Sequence, residues 1–131
     1  MKALIDTNAY TELFLGNASV AEVLEDAEVI YVSVVVIAEL LSGFKAGNKE
    51  KENRQYLKEF LRQGGRTVVL PVLYETAERF SLIKDALRKK GRPLPINDIW
   101  IAAQCMETGA TLITFDKHFR DVEGLLIWEG F

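Results

Sequence analysis

Asp6, Glu39, Asp98 and Asp116 are carboxylates placed where an apolar segment ends or is interrupted: Leu4-Ile5-Asp6, Ala38-Glu39-Leu40, Asp98-Ile99-Trp100 and Ile113-Thr114-Phe115-Asp116. An ionised carboxylate near a packed interior is costly unless it has a partner. Neither Asp6 nor Glu39 has an obvious Lys or Arg neighbour in the sequence. A divalent cation would be that partner. Three Asp and one Glu, with no Cys or His among them, form a hard all-oxygen set that suits Mg²⁺ or Mn²⁺ rather than Zn²⁺.

Such acids act together only if the fold brings them together, and the chain has the rhythm to do it. Short β-branched runs, Ala3-Leu4-Ile5, Val29-Ile30-Tyr31-Val32, Thr67-Val68-Val69-Leu70, Thr111-Leu112-Ile113-Thr114 and Leu125-Leu126-Ile127, alternate with longer segments of helical period. The runs are apolar on both faces, as strands of a parallel sheet covered by helices on each side would be. The expected fold is α/β, a three-layer α/β/α sandwich around a central, mainly parallel sheet. Ser19 with Glu22 reads as a capping box, and Ser33 as the cap of a helix through Gly43. Amphipathic helices are expected over Lys49 to Gln63, closed by Gly64-Gly65, and over Val72 to Lys90, closed by Gly91. Pro93 and Pro95 then delimit a loop.

On this scheme Asp6 follows the first strand and Asp116 lies just past the strand ending near Thr114. Both sit at carboxyl ends of strands, where open α/β sheets bind ligands. Asp98 opens a helix expected over Ile99 to Glu107, where free N–H groups favour a carboxylate. Glu39 sits in a helix so apolar that it faces either a site or solvent, and the site is the reading adopted. Taken singly, each acid has a plainer role as a cap, turn or surface residue; the joint arrangement is what points to a site.

The 131 residues suit one ordinary domain over 1–131, and 49% hydrophobic content excludes a disordered or fibrous chain. The net charge of −3 argues against wholesale attraction to nucleic acid. A local basic run, Lys84, Arg88, Lys89, Lys90 and Arg92, could still contact phosphates; its alternative is a solvated helix end. Cys105 is the only cysteine and is expected to be a buried thiol, so no intrachain disulfide forms and a reducing cytoplasm fits. The apolar runs fall short of the roughly 20 residues of a membrane span, and no signal-peptide pattern opens the chain. Tyr10, Phe14 and Phe44 are read as core or partner packing rather than as base-stacking platforms.

Leu4-Ile5-Asp6-Thr7-Asn8, Glu39 in a helix after the second strand, Asn97-Asp98-Ile99-Trp100-Ile101-Ala102-Ala103, and Leu112-Ile113-Thr114-Phe115-Asp116-Lys117-His118-Phe119 together resemble a PIN domain across nearly the whole chain. More narrowly they resemble the VapC-type toxins of type II VapBC toxin–antitoxin pairs. The resemblance implies a Mg²⁺- or Mn²⁺-dependent endoribonuclease that inhibits translation, with Asp6, Glu39, Asp98 and Asp116 as the acidic quartet. Asp6, Asp98 and Asp116 would then be metal ligands, with Glu39 acting on the attacking water. Asn8 and Thr114 match polar positions that orient a carboxylate or water. RNA as substrate, a VapB-type antitoxin, a homodimer with apolar contacts on the N-terminal helices and a cytoplasmic location are implied with it. His118, the only histidine, is read as a packing or turn residue rather than an acid or ligand.

Two rivals stand beside this reading. A phosphatase of the haloacid dehalogenase class would use Asp6 as nucleophile, but needs an acid/base two positions later, where Asn8 cannot exchange a proton. A non-catalytic PIN-like module would only bind RNA or protein, and retention of all four acids argues against it.

Overall fold

The computed structural model describes residues 1–62 and 65–129. Five strands, β1 (Lys2–Ile5), β2 (Val29–Ser33), β3 (Thr67–Leu70), β4 (Thr111–Thr114) and β5 (Ile127–Glu129), form one sheet in the order β3-β2-β1-β4-β5. Every pairing is parallel, with Leu4 opposite Tyr31 on one side and Leu112 on the other. Between the strands run α1 (Thr7–Phe14), α2 (Ala18–Glu25), α3 (Val34–Ala46), α4 (Glu50–Arg62), α5 (Tyr74–Lys90) and α6 (Ile96–Thr108). Parallel strands require such crossovers. Their right-handedness places α1 to α4 on one face and, because the chain turns back from β3 to β4, α5 and α6 on the other.

The centre of the sheet explains its sequence. Ala3, Leu4 and Ile5 of β1 and Leu112 and Ile113 of β4 are wholly buried, because helices cover both faces there. Each larger side chain so buried contributes about 1.5–3 kcal/mol. The third strand departs from this expectation: Val68 and Val69, on opposite faces, are 41% and 40% exposed. It lies at the sheet's edge, where helix cover runs out.

Some helix ends also differ from expectation. Asn17, not Ser19, caps α2, its side chain accepting from the N–H groups of Ser19 and Val20. At the other end of α2, the Arg66 guanidinium donates to the carbonyls of Leu24, Glu25 and Ala27, satisfying acceptors the helix leaves open. Ser33 caps α3 as expected, through Val35 N–H, although the helix runs past Gly43 to Ala46. Gly91 and Gly109 close α5 and α6 at φ +69° and +72°, the left-handed conformation glycine adopts without strain. Gln63 and Gly64, expected at the end of α4, lie outside the described residues. No helix among the described residues is long and apolar enough to cross a membrane.

Candidate active site

The reversal of strand order falls between β1 and β4, and there the two strands deliver Asp6 and Asp116. The ladder continues one bond past β1, from Asp6 N–H to the Ile113 carbonyl at 3.0 Å, so Asp6 stands at the carboxyl edge of the sheet. The residue is 5% exposed, and both carboxylate oxygens are engaged. Oδ1 accepts from Thr7 N–H at 2.8 Å, capping α1, and Oδ2 accepts from the Thr114 hydroxyl at 2.8 Å. Thr114 Oγ1 in turn accepts from the backbone N–H of Asp116 at 3.0 Å. One hydroxyl therefore links the two acids.

Asn8 closes the same corner by accepting from Phe115 N–H at 3.1 Å, which ties α1 to the segment carrying Asp116. Glu39 is half-buried in α3, and its Oε1 accepts from the Thr7 hydroxyl at 2.8 Å. The glutamate thus turns toward the site. Asp98 lies in the first turn of α6, which begins at Ile96 with Pro95 as N-cap, three residues earlier than the sequence indicates. No side chain caps this helix, so capping does not account for Asp98.

The charges of Asp6, Asp116 and Glu39 act on Asp98, and those of Glu39 and Asp116 on Asp6. Burial is the main force holding the Asp6 carboxyl above its ordinary value; the Thr114 and Thr7 hydrogen bonds oppose it, and Glu39 and Asp116 add to it. Asp98 is pushed up to about 6, first by burial and then by Asp6, Asp116 and Glu39, while His118 pulls it down. Among the described residues, however, no three Asp, Glu, His or Cys side chains are arranged to hold a metal ion unaided. The donor chemistry still fits a hard divalent ion, which takes one or two carboxylates and keeps water in its other positions.

The shift on Asp98 carries a stability consequence for the metal-free protein. A carboxyl that binds its proton more tightly when folded supports folding fully below its unfolded value, near 3.8, and loses that support as the pH rises through about 6. Asp98→Asn removes the titration. The variant should therefore gain stability relative to wild type on going from pH 4 to pH 7.5 in EDTA, followed by thermal unfolding. A difference that does not change with pH would contradict the shift.

The remaining sequence candidates have varied surroundings. Arg88 and Lys89 both pair with Asp85 on α5, whose carboxyl they hold below the usual range, and Lys90 donates to the Asp121 carbonyl. Lys84 Nζ lies 6.0 Å from the centre of the Phe80 ring, and Arg92 is exposed after the end of α5. Tyr10 packs edge-on to Phe60, and Trp100 stacks on Phe80 with centroids 4.1 Å apart. Cys105 is buried, which pushes its thiol up and away from reactivity. Beside the site, Tyr10, Phe14, Leu15, Leu40 and Phe44 line an apolar cavity of about 240 Å³. Exposed apolar side chains are not confined to these N-terminal helices, since Leu73, Tyr74 and Leu82 also face solvent.

Two contacts escaped sequence reasoning. Thr7 stood in the quoted motif with no role, and His118, expected to pack or to bond in a turn, places its ring Nδ1 2.9 Å from Asp116 Oδ1. Its backbone N–H does make the turn bond, also to Oδ1, but the ring is exposed rather than packed.

Comparison with known proteins gives the family and the fold. A family model described as the PIN domain matches residues 3–125. The chain is similar to Ribonuclease VapC2 of Haemophilus influenzae, 28% identical over 130 residues covering 96% of this chain and 93% of the relative. It is also similar to Ribonuclease VapC2 of Rickettsia felis, 27% identical over 107 residues, covering 81% and 78%. Among solved structures it resembles VapBC2 from Rickettsia felis bound to a DNA fragment from their promoter, with TM-score 0.88 and 25% identity over 98% of both chains.

Proposed function

The chain belongs to the PIN domain family, and from that membership we propose that residues 1–131 form one endoribonuclease domain, the toxin of a VapBC-type pair, which hydrolyses RNA phosphodiester bonds and so inhibits translation. The observation that carries the reading is the hydrogen-bonded chain from Asp116 N–H through Thr114 to Asp6, with Glu39 tied to the same corner by Thr7 and Asp98 raised first by burial and then by its three acidic neighbours. The relatives named Ribonuclease VapC support the activity.

Asp6 and Asp98 would hold a Mg²⁺ or Mn²⁺ ion, and Asp116 a second or weaker one. The bound ion would supply the charge that makes a water more acidic and offsets the negative charge on the leaving oxygen. Glu39, oriented by Thr7, takes up a proton from the attacking water. Thr114 and Asn8 keep Asp6 and the Asp116 segment in register, so the acids need little rearrangement when substrate arrives. Lys84, Arg88, Lys89, Lys90 and Arg92 contact RNA phosphates, which requires Arg88 and Lys89 to exchange Asp85 for the nucleic acid.

The protein acts in the cytoplasm as a homodimer and is held inactive by a VapB-type antitoxin. An apolar antitoxin segment would fill the cavity lined by Tyr10, Phe14, Leu40 and Phe44, with a basic side chain turned toward the acids. Solved toxin–antitoxin structures of the same fold support this partner.

Incubation of the purified protein with a panel of structured RNAs, in Mg²⁺ or Mn²⁺ and again in EDTA, tests the activity. Cutting that EDTA abolishes is the expected result. Hydrolysis of a small phosphomonoester without RNA cutting would transfer the assignment to a phosphatase, and neither activity would leave a binding module.

A further inference from the structure

The side chain of His118 is 78% exposed, yet its ring is placed against an acid of the site. Its backbone N–H and its ring Nδ1 both meet Asp116 Oδ1 at 2.9 Å, and neither contact uses Oδ2. The backbone bond by itself satisfies the cap of the 3-10 turn Lys117–Asp121. The ring contact is therefore additional to what the turn needs. Asp116 also differs from Asp6 in what holds it. Asp6 is buried with both oxygens bonded, whereas the Asp116 side chain is 29% exposed at the rim, where a carboxylate held by one bond can rock about its terminal torsion. A second bond to the same oxygen restricts that motion. The turn that presents both residues is itself anchored, since Phe119 is wholly buried.

We infer that His118 is a positioning residue: its ring, in the Nδ1–H tautomer, donates to Asp116 Oδ1 and thereby orients the carboxylate so that Oδ2 meets a divalent cation in the acid cluster. The inference rests on the metal-dependent reading above. A histidine that donates one ring N–H to a carboxylate has its tautomer set by that bond.

Because the chain has one histidine, untagged protein labelled with ¹⁵N-histidine reports His118 alone. In metal-free protein near pH 8, the ring proton should reside on Nδ1, and Asp116→Ala should return it to Nε2, the tautomer free imidazole prefers. A wild-type ring protonated on Nε2 overturns the inference. Mn²⁺ titration by calorimetry gives the second readout. His118→Ala and His118→Gln should weaken Mn²⁺ binding about tenfold, and the Mn²⁺ concentration for half-maximal RNA cleavage should rise in parallel. His118→Asn, whose amide nitrogen occupies nearly the place of Nδ1, should largely restore both. Thermal unfolding of the metal-free variants should match wild type, because the ring is exposed. If wild type binds Mn²⁺ and cuts RNA while His118→Ala binds as tightly, or His118→Asn binds as weakly as His118→Ala, this inference fails and the nuclease reading stands. If wild type binds no Mn²⁺, the metal reading fails and the inference with it.

Discussion

Asp6→Asn is expected to lower RNA cleavage by at least about a hundredfold to a thousandfold, the scale of losing one charge-stabilising group at a reacting centre, while leaving the metal-free fold at least as stable as wild type. The two halves of this expectation have one cause. Asp6 is 5% exposed, and burial holds its carboxyl above the ordinary value, so the charged form is disfavoured in the folded chain. A neutral amide removes that cost. The shape survives too, because the Asn carbonyl can still accept from Thr7 N–H and its amide can donate to Thr114 Oγ1. What is lost is the negative charge available to a cation. Thermal unfolding in EDTA beside cleavage rates in Mn²⁺ separates the effects. A variant that folds and still cuts within a few-fold of wild type would remove Asp6 from the active site.

Phe119→Ala is expected to destabilise the protein by about 3–5 kcal/mol, the range for deleting a buried aromatic ring, or roughly 10–20 °C in unfolding midpoint for a chain of this size. Phe119 is among the largest side chains with no exposed surface, yet it belongs to a five-residue turn at the edge of the site rather than to a strand or long helix. Val122 N–H closes the turn on the Phe119 carbonyl, and burial of the ring fastens the turn to the core. Cleavage should fall further than unfolding explains at temperatures where the variant remains folded, because Asp116 and His118 ride on the same turn. A loss below about 1 kcal/mol, judged by denaturant unfolding, would show that the turn is anchored by other contacts.

Much of this architecture was legible beforehand, for identifiable reasons. Central strands of a parallel sheet are buried on both faces, so β1 and β4 had to read as unbroken apolar runs, and an acid directly after such a run stands out. Helix ends carry local chemistry, which is why Ser33 and Gly91 were read correctly. At α2 Asn17, two residues before Ser19, offers the stronger cap, and α6 begins at Ile96, with Pro95 as its N-cap in an extended conformation. The third strand misled in the opposite way: Val68 and Val69 favour strand, but position in the sheet, not propensity, decides exposure.

From the sequence alone came the periodicities, the strand-end and helix-start positions of the acids, and the hard-oxygen character of the set, because each depends on residue type and on spacing within a few turns of chain. Which oxygen each acid offers was decided only by the tertiary structure. The Thr7 to Glu39 bond spans 32 positions and the Thr114 to Asp6 bond spans 108. The second follows from register, since parallel pairing of β1 with β4 sets Ile5 beside Ile113 and so carries Asp6 to Thr114; the first follows from the packing of α1, which begins at Thr7, against α3, which carries Glu39. Arg66 reaching back to α2, and Lys84, Arg88 and Lys89 meeting Phe80 and Asp85, were settled likewise by where helices and loops come to rest. Local patterning determines which elements form; the contacts that gather Asp6, Glu39 and Asp116 at one corner arise only when those elements pack.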